Sequence, residues 1–172
     1  MENINKERLE RFKQAELQER KYMNLLADHL IAKYEPTDIT TFESYDGFLT
    51  INDKKYIIEC KIRNEIYDTY VLEQGKYDRL LELSKEMNLD ILYINVTFNG
   101  TYIWNVTKMI ENNQLVFKNW QSVKTTMGNQ EKKNKPSVFL SILNAKLHPI
   151  KLKREITNLK NTMETLRNKF LK

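Results

Sequence analysis

The run KYIIECKI, from Lys55 to Ile62, constrains this chain more than any other stretch. Its β-branched and apolar residues, bounded by the turn pair Asn52 and Asp53, read as a strand. Yet the strand spends interior positions on a carboxylate and an ammonium. Side chains alternate across a strand, so Glu59 and Lys61 share one face and Cys60 takes the other. An exposed ion pair contributes little to stability, so folding alone gives no strong reason for the pair. The preceding strand, GFLTI (Gly47 to Ile51), follows Asp46 directly. A hairpin turning at Asn52–Asp53 returns Asp46 to the neighbourhood of Glu59, and two carboxylates and one ammonium then converge.

Two carboxylates suit Mg²⁺, an oxygen-seeking cation that takes one or two protein carboxylates and keeps several waters. The backbone carbonyl of Cys60 is a further candidate ligand. Lys61 would stand beside a metal-activated water, able to orient it and to offset charge building on phosphorus.

Around this hairpin the chain reads as a single domain of ordered, regular elements. A long helical pattern covers residues 2–34, with Leu9, Phe12, Glu16, Glu19, Met23, Leu26 and Leu30 on one face. Two glutamates interrupt that apolar stripe, and Pro36 is the expected terminator. Three strands are expected next, at Ile39–Tyr45, Gly47–Ile51 and Lys55–Ile62. A second helix is expected over Tyr70–Met87, then a strand over Asp90–Phe98, with Asn99–Gly100 turning into Thr101–Val106. Beyond it the pattern reads as a short helix at 107–113 and strands near Leu115–Val123 and Ser137–Ile142. The lysine-rich tract Asn129–Pro136, with Lys132, Lys133 and Lys135, reads as a solvated loop, or on a nuclease as a sequence-independent contact to the DNA backbone. Residues 149–172 carry a last amphipathic stripe: Leu152, Ile156, Leu159, Met163, Leu166 and Phe170. That helix is expected to pack on the domain or on a partner, the latter giving a homodimer.

With Asp46, Glu59, Cys60 and Lys61 placed on a hairpin behind a glutamate-bearing helix, the chain resembles the PD-(D/E)xK nuclease superfamily. Asp46 matches the acidic residue that opens one strand of its motif, and Glu59-Cys60-Lys61 match the (D/E)-x-K tripeptide in the next. Tyr45 stands where the family commonly has proline. The resemblance implies an α/β fold with a restriction-endonuclease-like αβββαβ core and a mixed central sheet flanked by helices. The nuclease-like domain would span residues 1–148 with its core in 1–106, and the amphipathic helix 149–172 would be appended. It implies a Mg²⁺-dependent deoxyribonuclease, with Mn²⁺ as substitute, whose metal is held by Asp46, Glu59, the Cys60 carbonyl and a first-helix glutamate. Glu19 is the choice for that glutamate and Glu16 the reserve. Gln74, Lys76 and Tyr77 would contact phosphate or support Lys61, because LEQGKYDRL is similar to the E-x-x-K-Y stretch of phage-type members; Arg63, next on the Glu59/Lys61 face, is either a two-donor phosphate contact or an ordinary strand-end charge.

Other chemistries find less in the sequence. The single cysteine excludes a disulfide framework and a cysteine-cluster zinc site. His29 and His148 lack metal-ligand spacing, and no Gly-rich phosphate loop or Ser–His–Asp set is present. A net charge of +5 permits a polyanionic partner without demanding one. No apolar run approaches the ~18 residues of a membrane span, and the charged N-terminus lacks an apolar signal core. A reducing cytoplasm is therefore expected; the Asn/Lys/Ile-rich composition fits a bacterial or phage genome, hence a bacterial or phage-infected cell, and the resemblance implies a DNA partner. The alternative from another class is a non-catalytic nucleic-acid-binding or assembly protein that retains the fold. The two readings separate on whether Lys61 faces the carboxylates.

Overall fold

The computed structural model describes residues 2–38, 43–123 and 132–152. The chain is a mixed α/β protein. Helix α1 (Glu2–Leu30) is followed by strands β1 (Lys33–Pro36), β2 (Gly47–Ile51), β3 (Lys54–Ile62) and β4 (Thr69–Glu73). Helix α2 (Gln74–Met87), β5 (Asp90–Val96), β6 (Thr101–Asn105) and α3 (Val106–Glu111) come next, then β7 (Val116–Val123), β8 (Lys132–Ser141) and β9 (Lys146–His148). Six strands form one mixed sheet in the order β1-β2-β3-β5-β6-β9, and β4-β8-β7 form a second sheet. Among the described residues only β3 and β5 pair in parallel.

The main sheet is covered on both faces, as a near-continuous apolar strand such as β3 requires. On one face Ile58, Cys60, Leu92 and Ile94 pack under Tyr22, Met23, Leu26 and Ala27 of α1. On the other, Ile57, Ile91, Tyr93, Tyr102 and Trp104 pack under α2, α3 and the second sheet, whose inner face supplies Tyr70, Leu72, Val138 and Leu140. Trp104 is fully buried with Tyr93 and Tyr102 beside it, each 6.0 Å between ring centroids. The aromatics Tyr93, Tyr102 and Trp104 of β5 and β6 are thus core.

Several boundaries differ from the sequence expectation. Helix α1 ends at Leu30, where Ile31 turns to φ 53° and the Ala32 N–H bonds back to the Ala27 carbonyl. The next residues, Lys33–Pro36, form the first strand, where pairing with β2 wins over helical continuation. Pro36 is tolerated because β1 is an edge strand. Of the strand expected over Ile39–Tyr45, residues 39–42 lie outside the described residues and 43–45 are not strand. The helix expected from Tyr70 begins only at Gln74, because Thr69–Glu73 alternates exposed and buried positions and pairs with β8. β4 thereby stands between the third strand and α2. Lys132–Pro136 is strand, not loop: β8 pairs β7 over that whole stretch. Of the C-terminal helix, only residues 149–152 are described, and these are not helical.

Asn52 and Asp53 both adopt positive φ, 48° and 61°, and close a two-residue hairpin with Ile51 opposite Lys54. Gly47 begins β2 at φ 149° opposite Pro36. A Cβ there would collide with the Glu35 carbonyl oxygen and lie 2.9 Å from the Pro36 Cα. Gly47→Ala is expected to cost about 1–3 kcal/mol in urea unfolding. It should also displace the adjacent Asp46, lowering any activity of the folded fraction.

Candidate active site

The site forms where β2 leaves β3. Gly47 opposite Ile58 is the last pair of that ladder, and the Asp46 N–H donates to the Ile58 carbonyl at 3.0 Å. Beyond this point no strand of the described residues lies beside the β3 edge, so its backbone groups need other partners. The Cys60 N–H donates to Asp46 Oδ2 at 2.6 Å, and the Cys60 carbonyl accepts from Lys61 Nζ at 2.7 Å. Side chains thus complete a ladder that the backbone abandons, and this fixes both Asp46 and Lys61.

Lys61 Nζ lies 3.1 Å from Glu59 Oε1, 3.4 Å from Glu19 Oε1 and 3.8 Å from Asp46 Oδ2. One cation therefore faces three carboxylates from three elements. Glu59 is 1 % exposed, and its second oxygen meets Lys76 Nζ of α2 at 2.9 Å. Glu19 comes from α1 because Met23 and Leu26, on the same stripe, anchor that helix on the Cys60 face of the sheet. Glu16, one turn earlier, pairs instead with Arg20 at 2.6 Å, and Arg20 also donates to the Thr37 carbonyl. Glu19 and not Glu16 thus joins the cluster around Lys61.

Burial pushes the Glu19 carboxyl up to about 7; Lys61 opposes that rise, while Asp46 and Glu59 add to it. Burial likewise raises Glu59. For Lys61 burial favours the neutral amine, but Glu59, Asp46 and Glu19 together outweigh it and hold the ammonium well above its ordinary range. The Cys60 thiol, buried on the opposite face, is raised by burial far from reactivity.

The other expected residues divide. Lys76 reaches the site, while Gln74 and Tyr77 do not. The Gln74 amide donates to Asp78 one turn along its own helix, and the Tyr77 ring is buried edge-on to Phe117, 5.6 Å between centroids. Successive helical residues point about 100° apart, so a single residue of α2's first turn faces Glu59. Arg63 continues the Glu59/Lys61 face and donates its backbone N–H to Val96, with no ion-pair partner among the described residues. Three residues near the site had not been singled out. Arg20 was legible as the i+4 partner of Glu16. Tyr34, whose hydroxyl approaches the Asp46 carbonyl at 3.4 Å, left no signal in the sequence. Asn95, fully buried and in register with Lys61 on β5, showed only as a lone amide in an apolar strand.

The donor set is hard oxygen. A cavity of about 10 Å³, room for a single water-sized sphere, is lined by Glu16, Glu19, Asp46 and Cys60 among others. Among the described residues no group of three or more His, Cys, Asp or Glu side chains is placed to hold a metal ion. Mg²⁺ does not require one, since it binds through one or two carboxylates plus waters. Asp46, Glu59 and Glu19 are thus of the ligand type that Mg²⁺ takes. No helix of the described residues is long and apolar enough to cross a membrane.

No family model matches this chain. No curated protein matches it either. Among solved structures it is similar to Archaeoglobus fulgidus Hjc, a Holliday junction resolvase from an archaeal hyperthermophile, at 11 % sequence identity and a TM-score of 0.49, over 76 % of this chain and 91 % of that one.

Proposed function

We propose that this chain is a metal-dependent nuclease of PD-(D/E)xK type that hydrolyses DNA phosphodiester bonds. The observation that supports it best is the placement of Lys61 within 3.8 Å of Glu19, Asp46 and Glu59 at the open edge of β3. A surface ion pair needs one carboxylate. Three around one ammonium, with a second ammonium from Lys76 behind Glu59, is an arrangement for handling charge.

Asp46 and Glu59 would hold Mg²⁺ or Mn²⁺ with the Cys60 carbonyl, and Glu19 would complete the set. When bound, the cation supplies Lewis-acid polarisation and a more acidic water. Lys61, protonated at neutral pH, presents its ammonium where charge develops on the phosphoryl oxygens. The Cys60 carbonyl and Glu59 hold that ammonium in place, and Lys76 holds Glu59. Asp46 is held by the Cys60 N–H, so it is oriented before any ligand arrives. The orientation of Lys61 toward the carboxylates also favours catalysis over the non-catalytic binding reading.

Linear, circular, branched and single-stranded DNA should be tested for cleavage with Mg²⁺ or Mn²⁺. Asp46→Asn and Glu59→Gln replace anionic oxygens with amides, and each should weaken Mg²⁺ binding by at least about tenfold in titration calorimetry. Unchanged affinity in both variants would remove these residues from a metal site. A wild type that cleaves none of these substrates would leave the binding reading in its place.

A further inference from the structure

The second sheet has an outer face that the proposed site does not use. Residues opposite one another share a face, so Val71, Glu73, Val116, Lys118, Trp120, Lys135 and Phe139 point away from the core face that carries Tyr70, Leu72, Val138 and Leu140. β4 covers β8 only from Ser137 onward, whereas β7 pairs β8 back to Lys132. The β7–β8 hairpin therefore extends past β4 as an arm. Trp120 is 47 % exposed and Val116 46 % exposed on this face. The Trp120 ring rests edge-on against Phe139 at 5.8 Å, and the Lys118 ammonium stands 5.9 Å over the Phe139 ring. Lys135, opposite Trp120, pairs with Glu73 at 2.6 Å.

Charge selects what covers this face. From Val116 to Pro136 the sequence has five lysines and one glutamate, a net +4 out of the chain's +5. Almost all of the basic excess thus lies in the one stretch of sequence that carries β7 and β8. A second copy of the arm would be repelled by it, and an acidic polymer drawn to it. A flat, half-exposed indole flanked by ammonium groups is the arrangement that stacks unpaired bases while holding the backbone between them. A groove of about 330 Å³ lined by Glu73, Gln74, Gly75, Asn134, Lys135 and Pro136 separates the arm from the first turn of α2, with Glu73 held by Lys135. The next residue of that turn is Lys76, which holds Glu59.

We infer that the β7–β8 arm is a binding face for single-stranded or unpaired nucleic acid, with Trp120 stacking on a base and Lys118 contacting the backbone. The inference deepens the nuclease reading by naming the form of substrate, and it rests on that reading for the choice of nucleic acid. Its test does not. A 5′-labelled oligo(dT) is titrated in EDTA and low salt, so cleavage plays no part. Of the two tryptophans Trp104 is fully buried, so a loss of fluorescence on saturation reports Trp120.

Wild type should bind with quenching and prefer the single strand to a duplex of equal length. Trp120→Ala should weaken binding roughly 5- to 150-fold, and Trp120→Phe should recover most of the loss, which a folding defect would not allow. Lys118→Gln should lower the salt slope of log K by about 0.7. Unchanged affinity in Trp120→Ala, or binding without quenching, would overturn the inference. So would a Trp120→Ala that turns a dimer into a monomer by light scattering while binding oligo(dT) normally, since the face would then join two copies. Binding through Trp120 without cleavage of any DNA defeats only the nuclease reading; duplex cleavage with no role for Trp120 defeats only this one.

Discussion

Lys61→Met should abolish most cleavage, by about 10²–10³ in rate, while leaving the fold and DNA binding largely intact. The side chain is half-buried on β3, and Met keeps most of its apolar stem. What disappears is the ammonium that bonds the Cys60 carbonyl and faces three carboxylates. Without it those carboxylates repel one another more strongly, and in the metal-free protein protons should partly replace it. A divalent cation would then bind as well as before or more tightly, because its competitor has gone. DNA affinity should fall little, as one positive charge among several is lost. Mg²⁺-dependent nicking of supercoiled plasmid, measured beside binding of the same DNA in Ca²⁺, checks this. Normal nicking by a folded Lys61→Met protein would defeat the mechanism.

The metal-free protein should lose stability as pH rises from about 4.5 to 7, and Glu19 should be the main cause. Its carboxyl is pushed up to about 7 from an ordinary 4.5, chiefly by burial. A group whose pKa is higher folded than unfolded stabilises fully below the unfolded value. That contribution is lost as pH climbs through the folded value. For Glu19 the difference corresponds to about 3 kcal/mol. Glu59, also raised by burial, works in the same direction. Lys61 does not oppose it in this window, since its raised pKa alters stability only at alkaline pH. Glu19→Gln, with no proton to lose, should flatten most of the slope between pH 5 and 8 in urea unfolding in EDTA. It should bind Mg²⁺ more weakly, and wild-type affinity should rise over the same pH range as the carboxyl ionises. A slope identical in Glu19→Gln and wild type would show that the carboxyl is not held out of water as its position indicates.

Much of the hairpin was legible because its determinants are local. A two-residue turn of known chirality fixes the register of β2 on β3, and strand alternation then places Glu59 and Lys61 together. Asp46 follows from the same register, because it stands one residue outside the last pair. The stripe on α1 marked Glu16 and Glu19 as glutamates on the packed face, and its 3.6-residue period could go no further. Both lie within one turn, so the choice between them depends on how α1 is rotated on the sheet.

The sequence alone therefore determined that two carboxylates and a lysine would meet on a hairpin beside a glutamate-bearing helix. Only the tertiary structure decided which glutamate joins them, that Lys76 closes on Glu59 while Tyr77 turns into the core, and that Lys33–Pro36 and Thr69–Glu73 are strands. It also decided that the lysine-rich tract continues a strand of a projecting arm. The physical reason is the same in each case. A turn, a cap or an alternation is written in adjacent residues. A strand's partner, a helix's rotation and a lysine's nearest carboxylate are settled by hydrogen bonds and packing between residues far apart in the chain.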